Sequence, residues 1–228
     1  VSDRAGTLEI WATGADGAQP RQLTDLGHAI WPRWSPSGRS LTLNSMQGGR
    51  AHVYVLDASG GIPEDLIEGG MPDWSADERW IYFTLPDGPI QKIPVRGGQP
   101  IQLTDARALA PQRAPDNQVF FSSETSVNNR VRGVSAEGGE PEIVLDTFVD
   151  WAQWCVWNRK LVFVHWKNGE APSIDMLDLV SRQTTELVSL AQSASPSWGL
   201  TVSPDGQWIL YTHQDSSGSD LMLVENFR

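Results

Sequence analysis

The sequence is poor in the features that mark membrane, nucleic-acid-binding and disulfide-stabilised proteins. No apolar run approaches the roughly 18 residues that a membrane helix needs, and residues 1–20 lack the charged start and apolar centre of a signal peptide. Because no long apolar run occurs, we expect no membrane insertion by this chain. The 17 Lys and Arg residues are dispersed and the net charge is −11, so we expect no nucleic-acid binding by this chain either. The single cysteine, Cys155, cannot form an internal disulfide, and its apolar neighbours are typical of a core position.

Signs of catalytic or metal-binding chemistry are also few. The chain has no Gly-x-Ser-x-Gly nucleophile elbow. Its histidines lack the His-x-His or His-x-x-x-His spacing of metal cages: His28, His52, His165 and His213. Aspartates in the turns stand singly, without the Asp-x-Asp-x-Asp-Gly run of calcium loops. We therefore predict no catalytic residue, no bound metal and no cofactor.

What the chain has in quantity is turn residues, tryptophan and internal repetition. Eleven Trp stand beside 21 Gly and 15 Pro. One phrase, WSPSGRSLTL from Trp34, recurs as WSADERWIYF from Trp74 and as VSPDGQWILY from Val202. A second phrase, a glycine turn followed by proline, recurs with spacings of 43, 37 and 41 residues at Gly17, Gly60, Gly97 and Gly138. A period near 40 with these two phrases indicates a repeat architecture.

The segments between the turns alternate polar and apolar residues with period two, as half-buried strands do. Each repeat holds four such segments, which predicts an all-β fold: a β-propeller of four-stranded antiparallel blades. The Ser-Pro-x-Gly phrase is expected to form the turn between the first and second strands, and the aromatic residue before it to pack between neighbouring blades. We predict a single propeller domain over 1–228, with blade repeats at approximately 1–25, 28–68, 71–105, 108–146, 150–190 and 196–228.

The blade count has two solutions. Six third strands and only five first strands can be recognised, which favours six blades with an incomplete first one. The alternative is a five-bladed ring closed by N-terminal strands, for which RQLT from Arg21 would complete the last blade. A closed ring is expected to be monomeric, whereas an open edge would cause self-association.

The phrases SPDGQWILYT and DGAQPRQLTD resemble the WD40-like (PD40) repeats of TolB-type β-propellers over essentially the whole chain. More narrowly, VSDRAGTLEIWATGADG and SGSDLMLVENFR resemble the C-terminal propeller of bacterial winged-helix transcriptional regulators of the CadC type. That resemblance implies an upstream DNA-binding domain, often with a membrane helix, and a propeller that senses or binds partners. It also favours a periplasmic or otherwise extracytoplasmic location.

Propeller sites usually form where the innermost strands converge, so we align those strands. Their common positions offer one cation, one anion and two amides beside indole rings, which suits a small polar ligand or a peptide terminus. His28 is expected near the same channel mouth. The predicted site comprises His28, Trp31, Arg33, Asp73, Gln112, Trp151 and Gln153. The same residues would equally suit a channel that side chains and water fill.

The favoured interpretation is a non-enzymatic propeller that acts as a sensing or protein-interaction module of a larger bacterial regulator. Its expected partner is a protein or a small polar ligand at the central channel. Two alternatives remain. The first is the accessory or catalytic propeller of an enzyme, of the peptidase-gating or metal-dependent lyase type. The second is a truncated fragment without independent activity.

Overall fold

The computed structural model describes residues 1–14, 16–123, 129–167, 169–191, 196–214 and 219–225. These residues form 21 β-strands and no helix, so the all-β prediction is confirmed. Accordingly, no helix that could cross a membrane occurs in the part of the chain that the structure describes.

The strands form antiparallel sheets in which neighbours along the chain are also neighbours in the sheet. Sheet 1 contains β1 (Trp11–Ala12) and β2 (Arg21–Gln22). Four sheets have four strands each. Sheet 2 contains β3 (Ala29–Trp34), β4 (Ser40–Gln47), β5 (Arg50–Asp57) and β6 (Glu64–Glu68), and sheet 3 contains β7 (Gly70–Trp74), β8 (Trp80–Thr84), β9 (Ile90–Pro94) and β10 (Ile101–Gln102). Sheet 4 contains β11 (Ala108–Ala114), β12 (Gln118–Ser123), β13 (Arg130–Ser135) and β14 (Glu142–Leu145), and sheet 5 contains β15 (Trp154–Trp157), β16 (Lys160–His165), β17 (Ser173–Asp178) and β18 (Thr184–Ser189). Sheet 6 contains β19 (Pro196–Val202), β20 (Trp208–Gln214) and β21 (Ser219–Glu225), and the predicted continuation of β21 to Phe227 lies outside the described residues.

By its contacts the chain divides into two compact units. Unit 1 comprises Val1–Arg113 and Val134–Glu140, and unit 2 comprises Ala114–Gly133 and Pro141–Arg228. Each unit has its own apolar clusters, which lie where one sheet packs face to face on the next. The number of blades and the single-domain assignment stay predictions.

The repeated serine of the Trp-rich phrase closes the hairpin between the first two strands of a sheet. Its hydroxyl oxygen accepts a hydrogen bond from the backbone N–H five residues further on, at 3.2 Å for Ser35, 3.0 Å for Ser75 and 3.0 Å for Ser203. Gly38 completes the first of these turns with a φ of 70°, which lies in the left-handed region that glycine tolerates. The phrase is therefore a structural turn motif.

In sheet 5 the corresponding turn is shorter than the repeat predicts. Trp157 pairs with Lys160, so only Asn158 and Arg159 connect β15 to β16. Asn158 takes a φ of 53°, a conformation that asparagine adopts more readily than most residues. The divergent sequence at this point thus encodes a tighter hairpin in place of the Ser-Pro-x-Gly turn.

Indole rings fill the space between successive sheets at two of the predicted positions. Trp74 is buried and its Nε1–H donates to the Arg33 carbonyl at 3.1 Å in unit 1. Trp154 is buried in unit 2, where its Nε1–H donates to the Ser122 hydroxyl at 2.8 Å. The prediction is wrong for Trp34, which is 49% exposed. The preceding sheet 1 has two short strands and none that corresponds to β3, so it offers no equivalent of the Arg33 carbonyl.

The N-terminal segment of unit 1 is held by a buried carboxylate. Glu9 is fully buried and accepts hydrogen bonds from the Thr24 hydroxyl at 2.5 Å, the Gly27 N–H at 2.6 Å and the Leu26 N–H at 3.0 Å. Burial alone would raise the pKa of Glu9, but these hydrogen bonds outweigh it and hold the pKa below its ordinary value. The carboxylate therefore fixes the turn that leads into β3.

Replacing Trp154 by Phe should destabilise the protein by about 1–3 kcal/mol, because the Ser122 hydroxyl loses its donor and a void opens in a packed interface. The same change at the half-exposed Trp34 should cost less than about 0.5 kcal/mol. Urea unfolding followed by fluorescence measures both. Equal losses for the two variants would contradict the assigned packing.

Replacing Glu9 by Gln should destabilise the protein at pH 7 by about 1–3 kcal/mol, since two backbone donors lose a charged acceptor. Because the pKa of Glu9 is lowered by folding, its contribution is present above the unfolded value of 4.5 and is lost as the pH falls through the folded value. The difference between wild type and variant in urea midpoint should therefore shrink below pH 4.5. Glu64→Gln, at an exposed carboxylate, is the control; a pH-independent difference at Glu9 would refute the assignment.

Candidate functional site

Four of the predicted site residues lie on the first strands of successive sheets in unit 1. Trp31 and Arg33 belong to β3, Asp73 to β7 and Gln112 to β11, and β7 contacts both β3 and β4. Arg33 and Asp73 are equivalent by register, because they pair with Thr42 and Tyr82 at the same place in their sheets. These four residues are called the inner-strand row.

Each of these first strands contains a residue with left-handed backbone immediately before a proline. The φ angles are 58° for Trp31, 52° for Met71 and 50° for Ala110, and in β3 and β7 this residue interrupts the strand register as a bulge. Residues before proline ordinarily take extended conformations, so each position stores strain on the order of 1 kcal/mol. At Met71 the backbone N–H donates to the Asn44 side-chain oxygen at 3.2 Å, which holds the bulge in place.

Asp73 is neutralised by a residue that the sequence alignment did not select for the site. Its carboxylate is buried and accepts from the Arg113 backbone N–H at 2.8 Å, while the Arg113 guanidinium lies at 3.4 Å. Arg113 occupies the position of Trp74 in the next repeat, and that substitution is the signal by which it could have been found. Gln112 is buried beside it and has interactions of its own.

Arg33 differs from Asp73 in having an uncompensated charge. Its side chain is half-buried, and among the described residues its guanidinium makes no ion pair or hydrogen bond. His28 lies one residue before β3, is half-buried and forms a parallel bridge with Leu8. With Asp73 bound to Arg113, Arg33 is the cation of the inner-strand row that remains available to a ligand.

In unit 2 the predicted residues Trp151 and Gln153 lie in the segment that leads into β15. Trp151 is half-buried, whereas Gln153 is buried and accepts a hydrogen bond from the Trp166 indole N–H at 2.7 Å. The Val164 N–H donates to the Gln153 carbonyl at 2.9 Å. Gln153 is thus tied to β16, a structural role that the alignment of first strands could not reveal.

A hydrogen-bonded chain next to Trp166 was also not predicted. In sheet 5 the Ser173 hydroxyl donates to Asp175 at 2.6 Å, and the other oxygen of the buried Asp175 lies 2.7 Å from His165 Nδ1. The serine contacts the carboxylate and not the imidazole, so the arrangement differs from a Ser-His-Asp triad and leaves the hydroxyl without a base. The neighbouring Lys167 binds Glu186, and this hydrogen bond raises the pKa of Lys167 and lowers that of Glu186.

Among the described residues, no three His, Cys, Asp or Glu side chains lie close enough together to hold a metal ion. The side chain of His213 lies outside the part of the chain whose side chains are described.

Comparison with known proteins identifies the fold. No family model matches the sequence. The uncharacterized protein Atu1656 of Agrobacterium fabrum is 29% identical over 168 residues, which cover 65% of this chain and 57% of that protein. TolB from Acinetobacter baumannii is a structural neighbour with a TM-score of 0.76 and 19% identity, covering 95% of this chain and 57% of TolB. The chain therefore spans little more than half the length of these relatives.

Two further solved structures are similar. A putative TolB from Agrobacterium tumefaciens has a TM-score of 0.69 and 17% identity, with 94% of this chain and 82% of that chain covered. An oligogalacturonate lyase in complex with manganese has a TM-score of 0.66 and 15% identity, with 98% and 69% covered. At these identities the likeness establishes the fold alone. The chain shares the β-propeller fold of these solved structures, as the repeats predicted.

Replacing Asp73 by Asn should destabilise the protein by about 1–3 kcal/mol, because a buried charged acceptor is lost from both the backbone and the guanidinium of Arg113. Arg113→Gln should cost less, since the backbone N–H still reaches Asp73. In a double-mutant cycle measured by urea unfolding, the two changes should couple by more than about 0.5 kcal/mol. Strictly additive losses would argue against a direct interaction.

Proposed function

We propose that the chain is a non-enzymatic propeller module that binds a carboxylate group of a partner protein or of a small polar ligand through the inner-strand row. Arg33 is the residue that makes the contact. A guanidinium forms two parallel hydrogen bonds with a carboxylate, a geometry that lysine cannot reproduce. Trp31, on the same strand, offers an apolar face to the ligand.

This proposal rests on a difference between two charged residues at equivalent positions: one has a partner of opposite charge and the other has none among the described residues. Asp73 is buried and bound by Arg113, whereas the Arg33 guanidinium has no partner among the described residues. A half-buried cation without a counterion is a natural binding site for an anionic group. The strained residues before the prolines lie in the same strands, and backbone strain of this kind clusters at functional sites.

The wider role that we propose is that of a sensing or interaction module in a larger bacterial regulator of the CadC type, located in the periplasm or otherwise outside the cytoplasm. Support comes from the regulator-like phrases at the two ends of the sequence. His28, which precedes β3 in unit 1, is proposed to border the inner-strand row, whereas a binding role of Trp151 and Gln153 in unit 2 stays a prediction. The six-bladed arrangement, with five blades as its alternative, belongs to this proposal.

A metal-dependent lyase is the alternative that the manganese-bound structural neighbour brings forward. It has less support, because the described residues contain no metal-ligand cluster, and His52 and His165 each contact a single aspartate without further ligands. A stoichiometric divalent ion in the purified protein, measured by elemental analysis, would favour the lyase alternative over a binding module.

The proposal predicts selective binding of free carboxyl termini. In fluorescence anisotropy, a pool of short labelled peptides with free C-termini should bind, and the same pool with amidated C-termini should bind about tenfold or more weakly. Arg33→Gln should abolish this difference, while Arg39→Gln, at an exposed arginine, should preserve it. Equal binding of the two pools to the wild type, or an unchanged preference in Arg33→Gln, would overturn the proposal.

A further inference from the structure

One position on the third strand of each four-stranded sheet faces the next sheet along the chain. The register identifies it: Val55 pairs with Glu64, Lys92 with Ile101, Met176 with Thr185 and Gly133 with Glu142, each pair joining the third strand to the fourth. We call this the facing position. In three of the four sheets it carries a long or branched side chain.

Those three side chains fill the space in front of them. Val55 packs against the apolar cluster that includes Trp74 of sheet 3, and Met176 packs against the cluster that includes Leu200 of sheet 6. Lys92 is buried in unit 1, lies 4.8 Å from the centre of the Trp80 ring and donates to the Ala136 carbonyl at 2.5 Å.

Sheet 4 has glycine at the facing position, and Gly133 belongs to the lining of an open cavity of about 320 Å³ within unit 2. The glycine is not required by the backbone, because Gly133 is not in the left-handed region. A Cβ there would approach the Phe120 ring and Val144 Cγ2 at 3.0 Å. The volume falls at the lower end of the range of about 300–1,000 Å³ that small-molecule sites occupy. The glycine in this strand permits the close approach of Phe120 and Val144 to its backbone.

The cavity combines an apolar floor with charges of both signs. Its lining includes Phe120, Val144 and Leu179 as apolar groups and the ionisable side chains Asp116, Glu142, Arg159 and Arg182. Arg159 is fully engaged, because two of its nitrogens contact the two carboxylate oxygens of Asp116 at 3.0 and 2.6 Å. This leaves Arg182 as the available cation and Glu142 as the available anion of the lining.

Arg182 is held in place by the turn between β17 and β18. The Asp178 side chain accepts the Val180 and Ser181 N–H groups at 2.9 and 2.8 Å, and the Arg182 N–H donates to the Asp178 carbonyl at 2.9 Å. Arg182 itself takes a φ of 60°, and one of its guanidinium nitrogens donates to the Val144 carbonyl at 2.7 Å. The other N–H groups of the guanidinium have no partner among the described residues, so they can bind a ligand at a position that the turn fixes beforehand.

We propose that this cavity binds a free α-amino acid with a large apolar side chain. The side chain lies on the apolar floor that Phe120, Val144 and Leu179 form. The carboxylate pairs with Arg182, and the ammonium group pairs with Glu142. This site is separate from the inner-strand row, so its test and that of the proposed function fail independently.

Isothermal titration calorimetry with the full chain tests the proposal, using L-phenylalanine as the probe. The wild type should bind it with a dissociation constant in the millimolar range or tighter, and glycine should not bind measurably. Arg182→Gln should weaken binding about tenfold or more, whereas Arg79→Gln, at an exposed arginine outside the cavity, should leave it unchanged. The proposal would be overturned if L-phenylalanine gave no binding heat at a concentration 10-fold above about 1 mM, or if Arg182→Gln bound it as tightly as the wild type.

Two further variants assign the parts of the ligand. Glu142→Gln should weaken the binding of L-phenylalanine but not that of phenylacetate, because phenylacetate has no ammonium group. Gly133→Met, which introduces the residue found at Met176, should abolish binding of both ligands by pushing Phe120 and Val144 into the cavity. Because the added side chain must displace Phe120 and Val144, circular dichroism checks whether the Gly133→Met variant folds. If it does not fold, Gly133→Ala replaces it in the test, and this smaller side chain should weaken the binding of both ligands. Undiminished binding in a folded Gly133 variant would contradict the location of the site.

Discussion

The structure depends on the packing of each sheet face against the face of the next sheet. A four-stranded sheet of this size has too little apolar surface to be stable alone, so its core exists only between neighbours. The buried indoles of Trp74 and Trp154 and the facing residues Val55 and Met176 all serve these interfaces. Where the facing residue is glycine, as at Gly133, Phe120 and Val144 approach its backbone closely and line an open cavity.

Buried carboxylates are also stabilised by contacts within and between these sheets. Three buried carboxylates, Glu9, Asp73 and Asp175, each accept hydrogen bonds from partners fixed by a strand or turn. A buried carboxylate without such partners would cost several kcal/mol, so these pairings are a condition of folding. Among the described residues, the half-buried Arg33 and the exposed Arg182 are two exceptions to such complete pairing, since each keeps guanidinium donors without a partner. Both proposed binding functions rest on these exceptions.

The sequence predicted the parts of the fold that local chemistry encodes. Alternating residues gave the strands, and the repeated serine gave the hairpin turns, because a Ser hydroxyl and a Gly backbone act within five residues of one another. Side-chain partners across sheets were less accessible to sequence reasoning. Trp34 follows the motif yet is exposed, because its environment depends on a neighbouring sheet. Arg113 and Gly133 were visible only as deviations from the repeat, and their consequences required the register of the strands.

The proposed site requires that the Arg33 guanidinium is free to bind a ligand, while that of Arg113 is bound to Asp73. Nuclear magnetic resonance of the arginine side-chain Nε–H groups tests this directly, during titration with a short peptide that has a free C-terminus. The Arg33 resonance should shift until the binding site is saturated with peptide, while the Arg113 resonance should stay in place. A stationary Arg33 signal, or an equal shift at Arg113, would contradict this requirement.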